Sequence, residues 1–187
     1  MNLVANSGRP RPRLLVCLDL LEVNAPADED PELTRIRIRL LNCRRVLEHA
    51  RAWGWGVVHV HRRSRCDLGP SRPIRGLEPL PCEPVMTRDG FSAFSSKSFC
   101  ELVAGAHEAQ VVLIGFCLAS SCLATLFDAH DRGLDATIVG DAVAATPLAA
   151  VCPAQAEPVV RSIAASIAAA VSTDQLVGRA PLRLVSA

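Results

Sequence analysis

Eight cysteines, a single lysine and no tyrosine decide which side-chain chemistry this 187-residue chain can offer. Thiolate chemistry has many candidates. Chemistry that needs a neutral lysine amine has only Lys97, because the other nineteen Lys/Arg positions are arginine. The cysteines, at 17, 43, 66, 82, 100, 117, 122 and 152, sit in apolar segments and form no CxxC or CxxH pair. A zinc knuckle needs such pairs, and free cysteine is otherwise an ordinary core residue. His59 and His61 lie two apart, on one face of the apolar run GVVHVH, which raises metal ligation. Arg62, Arg63 and Arg65 follow and would repel a cation; Asp67 is available, but no further histidine comes before His107. No metal or other cofactor is expected.

These residues need elements to position them. Arg13 to Asp19, RLLVCLD, reads as a short buried strand that ends in a carboxylate. Asp30-Pro31-Glu32 offers an N-cap, a proline suited to a first turn and an early acid. Leu33, Ile36, Leu40, Cys43, Leu47 and Ala50 then recur at alternating spacings of three and four, one face of a helix stopped near Gly54. Gly56–His61 is the next strand. Residues 62–84 hold five prolines and two glycines and read as a long surface excursion. A short extended segment at 84–87, a helix over 95–104, a strand over 110–115, a helix over 120–132, a strand over 136–140 and a helix over 158–171 complete the pattern. Strands alternating with helices predict a three-layer α/β/α domain around a mostly parallel sheet. Ligands of such sheets bind beyond the carboxyl ends of the strands. Asp19, the loop after His61 and the turn after Gly115 all belong to that edge.

Bulk properties narrow the class. One domain over 1–187 is expected, with 1–12 flexible. A net charge of +1 gives no field suited to nucleic acid or an anionic membrane. The uncharged run 111–127 approaches the length of a membrane span, but it holds Gly115, Ser120, Ser121 and Thr125 and reads better as a strand turning into a helix. The polar N-terminus lacks the apolar stretch of a secretory signal. Scattered cysteines in a chain of this size point to the cytoplasm and reduced thiols.

At the level of motifs the chain resembles the isochorismatase-like cysteine hydrolase superfamily, which includes nicotinamidases, carbamoylsarcosine amidases and isochorismatases. LLVCLDLLEVN (14–24) is similar to its first strand and catalytic aspartate, PVMTRDGFSAF (84–94) to its second signature, and VVLIGFCLASSCLATLFDAHDRG (111–133) to the segment that presents a nucleophilic cysteine at a helix start. IVGDAVAA and VSTDQLV fit the usual ending. The resemblance implies a thiolate favoured by a helix N-terminus, an aspartate that shuttles its proton, a lysine between them and two backbone amides for the oxyanion.

Carried over residue by residue, the resemblance places Asp19 at the aspartate and Arg88 at the lysine, with Lys97 beyond the motif. Ser121 falls at the nucleophile and Cys122 one residue later. Arginine can pair with Asp19, but with a reference pKa above ~12 it is no proton shuttle. Serine is the poorer nucleophile and is equally suited to capping the helix. Cys122 would point about 100° away on an ideal helix. The resemblance also implies a cis bond between Phe116 and Cys117, an oxyanion hole from the amides of Cys117 and Ser121, and a pocket near Leu21, Phe91 and Phe94. Nicotinamidases add a metal held by an aspartate and two histidines after the second strand, which the arginines here do not match. The expected function is hydrolysis of a small amide, or of a vinyl ether protonated by Asp19, with the altered set Asp19, Arg88 and Ser121 or Cys122. The competing expectation is a non-catalytic relative retained for ligand binding or assembly. The only partners expected are a small-molecule substrate and further copies in a homo-oligomer.

Overall fold

The computed structural model describes residues 11–25, 33–63, 71–106, 108–145 and 153–178. The expected flexible start, the Asp30-Pro31-Glu32 cap, Asp67 and His107 lie outside these residues in whole or large part. The strands are β1 (Arg13–Leu18), β2 (Gly56–Arg62), β3 (Val85–Arg88), β4 (Gln110–Phe116), β5 (Ala136–Ala144) and β6 (Ala169–Val171). The helices are α1 (Leu33–Ala52), α2 (Lys97–Gly105), α3 (Leu123–Asp131), α4 (Pro153–Ile167) and α5 (Thr173–Val177). All six strands pair in parallel, in the order β3-β2-β1-β4-β5-β6.

Near-continuous apolar runs form the central strands because both sheet faces are covered. Along β1 the side chains divide by parity. Leu14, Val16 and Leu18 join Phe99, Val103, Leu126 and Val160 from α2, α3 and α4. Leu15 and Cys17 join Cys43, Val46, Leu47 and Ala50 of α1. The strand order reverses between β1 and β4, and the crevice at such a switch point is where open parallel sheets bind ligands. No helix among the described residues is long and apolar enough to cross a membrane; the run 111–127 is β4, a turn and the first half of α3.

Three elements depart from expectation. The helix expected over 158–171 starts at Pro153 and stops at Ile167, and the alanines after it form β6. Alanine favours helix, yet β5 offers a row of backbone groups to pair, and tertiary pairing overrides propensity. β5 runs four residues beyond 140, because an irregularity lets Gly115 pair with Val143 after Leu113 has paired with Ile138. The helix expected from Ser120 opens instead with a π-helical turn, Leu118–Cys122.

Gly115 permits the closest packing at the switch point. Its φ is +131°, and a Cβ there would lie 2.0 Å from the Leu18 carbonyl oxygen. Backbone has no room to yield at that distance. Gly133, also left-handed at φ +67°, has nothing within 4 Å of its Cβ position. Gly115→Ala is therefore expected to abolish cooperative unfolding in urea, whereas Gly133→Ala costs about 1–2 kcal/mol. Similar losses at the two glycines would contradict this packing.

Candidate active site

The expected edge is where the chain departs most from ordinary backbone. Among the described residues, only Asp19 (φ +50°) and Cys117 (φ +64°) are non-glycine residues with positive φ. They follow the ends of β1 and β4, on either side of the switch point. Left-handed backbone costs such residues energy and clusters where a site demands it. Asp19 is pinned by backbone bonds: its N–H donates to the Val60 carbonyl at 3.1 Å, and its carbonyl accepts from Leu21 N–H at 2.8 Å. The Asn24 side-chain amide donates to that same carbonyl at 2.9 Å. Cys117 turns the chain out of β4 with a trans peptide bond. All peptide bonds of the described residues are trans, so the cis bond expected between Phe116 and Cys117 is absent and the left-handed residue makes the reversal instead.

Asp19, Arg88 and Ser121 converge. The Asp19 carboxylate uses both oxygens: Oδ1 accepts from the Arg62 backbone N–H at 2.7 Å, and Oδ2 accepts from Arg88 Nη2 and from Ser121 Oγ–H, the latter at 3.2 Å. Arg88 Nη2 also donates to Ser121 Oγ at 2.7 Å, and Nη1 donates to the Gly90 carbonyl. The ion-paired side chains are nearly sealed, with Arg88 0% and Asp19 5% exposed. Arg88 Nε is buried without a partner. A buried arginine in this state is held by the geometry around it rather than by solvation.

The π-helical turn decides which neighbour faces this pair. Its signature bond runs from Cys122 N–H to the Cys117 carbonyl at 3.2 Å, and it keeps Ser121 over Asp19. Thr125 fixes the turn, donating from Oγ1 to the Ser121 carbonyl at 2.7 Å and accepting from Ala93 N–H at 3.0 Å. Cys122 points elsewhere: it belongs to the apolar core, its thiol donates to the Phe116 carbonyl at 3.4 Å, and burial pushes its pKa up. Lys97 is far more exposed, 91%, at the start of α2 beside Glu101. Of the residues expected at a pocket, Phe91 is exposed, Phe94 is packed on Phe99 with ring centroids 5.0 Å apart, and Leu21 is buried in a bridge to Pro73. Sequence reasoning missed Asn24, the Arg62 amide and the tethering by Thr125; only the first and last lie within quoted motifs.

The two histidines of β2 are buried beneath this edge. His59 Nε2 meets Glu83 Oε2 at 3.1 Å, and Glu83 is chelated by Arg51, whose Nε and Nη2 lie 2.8 Å from its oxygens. Against the upward push of burial, those bonds and one from the Leu80 N–H at 2.9 Å hold Glu83 down at about 2. Among the described residues no three His, Cys, Asp or Glu side chains gather as a metal site requires. His61 Nδ1 is buried without a partner, and burial, with His59 and Arg88 nearby against the opposing charge of Asp19, pulls its pKa from 6.5 down to about 4. Between those values the unfolded chain takes up a proton that the folded protein refuses, so stability is complete above 6.5 and falls as pH drops toward 4. The loss attributable to His61 is about 3 kcal/mol. Urea midpoints measured from pH 7 to 4.5 should fall steeply for the wild type and less for His61→Gln. Equal slopes would contradict this assignment.

The comparisons concern the family and the fold. The Isochorismatase domain family matches residues 13–175. No curated protein matches the sequence. Among solved structures, an isochorismatase from Pseudomonas putida KT2440 superposes with a TM-score of 0.78 at 24% identity, covering 89% of this chain and 93% of that one. An isochorismatase-like hydrolase from Alkaliphilus metalliredigens gives 0.75 at 16%, covering 89% and 97%. N-carbamoylsarcosine amidase from Thermoplasma acidophilum gives 0.69 at 21%, covering 87% and 97%. At such identities the likeness of structures shows a shared fold. The domain match, running from β1 into α5, carries the further conclusion that this chain belongs to the isochorismatase family.

Proposed function

We propose that the chain is a hydrolase of small metabolites, acting on an amide through Asp19, Arg88 and Ser121. The observation that carries this reading is the hydrogen-bonded cluster itself: a hydroxyl whose proton is directed at a carboxylate and whose oxygen also accepts from a guanidinium. A hydroxyl oxygen has two lone pairs, so the bond from Arg88 leaves one for attack. In the proposed step Ser121 Oγ bonds to the amide carbon while its proton passes to Asp19 Oδ2. Collapse of the tetrahedral adduct breaks the C–N bond, and Asp19 returns the proton to the departing nitrogen. Water then hydrolyses the acyl-serine by the same path. Arg88 supplies fixed positive charge and orientation and moves no proton. The amides of Cys117 and Ser121 remain the proposed oxyanion donors, with Leu21 and Phe91 at the rim.

Vinyl-ether cleavage is the weaker version, because there Asp19 must already carry the proton it delivers, whereas both of its oxygens accept hydrogen bonds and in the amide step Ser121 supplies that proton. One observation favours the non-catalytic alternative: the ion-paired side chains are almost fully buried, so Arg88 fills space that a substrate would need. The family resemblance also supports a homo-oligomer, as do the exposed Ile38 and Leu41 of α1. Cys17, Cys43, Cys82, Cys100 and Cys122 are free thiols, in keeping with a cytoplasmic setting.

The test is amine or ammonia release from a panel of small amides. Asp19→Ala and Ser121→Ala should each lower kcat/KM at least 100-fold, while Cys122→Ala should hold within a few-fold. Activity that survives Asp19→Ala would overturn the site, and a panel without turnover would favour the non-catalytic reading.

A further inference from the structure

The edge that holds the buried pair also carries an arginine with no acidic partner among the described residues. Arg62 ends β2 and pairs in register with Arg88, so both side chains leave the same face of neighbouring strands, which stand about 4.8 Å apart. Its own amide holds Asp19 Oδ1 at 2.7 Å, which ties its position to the site. The three arginines here have different fates. Arg88 is consumed by Asp19, and Arg63 pairs with Asp89 at 2.8 Å. The exposed Arg62 makes no ion pair among the described residues; its guanidinium lies 4.4 Å from the centroid of the Phe91 ring.

Phe91 is anchored to the same pair, one residue after Gly90, whose carbonyl accepts from Arg88. The ring is 51% exposed, more than a core aromatic would be. Stacking on a ring engages the face of a guanidinium and leaves the N–H groups in its plane free to donate. A planar guanidinium held over a ring, with no ion pair among the described residues, is well suited to bidentate capture of a carboxylate.

We infer that Arg62, seated on Phe91, is a specificity-determining residue that recognises a carboxylate on the substrate, so the preferred substrates are small amides bearing an anionic carboxylate close to the scissile bond. This rests on the reading of Asp19, Arg88 and Ser121 as the reacting site. Arg62 and Arg88 are register partners on adjacent strands, so the Arg62 stem rises beside the pair that holds Ser121.

Binding separates this inference from the hydrolase reading. The probes are N-acetylglycine and its neutral counterpart N-acetylglycinamide, titrated into the full-length protein and followed by NMR shifts. The wild type should bind N-acetylglycine at least tenfold more tightly than the neutral amide. Arg62→Gln should remove that preference while leaving N-acetylglycinamide binding within twofold, and Phe91→Leu should weaken N-acetylglycine binding several-fold. Both side chains are exposed, and the Arg62 amide that holds Asp19 survives the substitution, so both variants should fold. Equal binding of the two probes to the wild type, no binding of either, or an undiminished preference in Arg62→Gln would overturn the inference. Charge-selective binding lost in Arg62→Gln but without hydrolysis would support carboxylate recognition by Arg62 and overturn the hydrolase reading on which the substrate assignment rests.

Discussion

The rest of the site depends on one buried ion pair, Asp19 with Arg88, closed over by Ser121. Taking two charges out of water costs several kcal/mol per ion, and the cost is offset only when the geometry and the remaining hydrogen bonds are good. Here the carboxylate accepts three bonds and the guanidinium reaches an acid, a hydroxyl and the Gly90 carbonyl. The pair therefore joins the end of β1, the end of β3 and the turn after β4. The left-handed residues Asp19 and Cys117 are the local cost of that closure.

The two departures from the resemblance make sense together. A lysine would present a single ammonium on a flexible stem, whereas arginine offers a planar fork that bonds several acceptors at once. A serine hydroxyl can accept from that fork and still donate to the carboxylate. The sulfur next along is turned into the apolar core, where burial disfavours its thiolate. In the proposed function this trades the intrinsic reactivity of a thiolate for a hydroxyl held tightly between a base and a cation.

Much of this was legible in the sequence. The apolar runs at Arg13–Leu18 and Gln110–Phe116 gave the two strands beside the switch point, because buried parallel strands leave an unbroken signal. The resemblance placed Ser121 at the nucleophile position with Cys122 one residue later, and the π-helical turn sets the Ser121 hydroxyl against Asp19. Other features left no readable trace. β6 is written in alanines whose local preference is helical and is made a strand by β5 alone. The turn at Cys117 was expected to need a cis bond, and only the folded geometry reveals a left-handed residue. The Arg62 amide contributes through its backbone, to which residue type is no guide. Phe94 lies in the motif that suggested a pocket, yet on the 3-10 turn Ala93–Ser95 it is buried against Phe99, and an aromatic in a motif does not reveal whether it lines a wall or fills the core.

The central claim is that Asp19 and Arg88 stabilise one another and the site around them. A double-mutant cycle on stability tests it directly, with Arg88→Met measured in the wild-type and Asp19→Asn backgrounds by urea unfolding. In the wild type the substitution strands a buried carboxylate and should cost about 3–5 kcal/mol. In the Asp19→Asn background the cost should shrink by at least about 2 kcal/mol, because no uncompensated charge is left behind. Additive effects, equal within about 0.5 kcal/mol in the two backgrounds, would contradict the account.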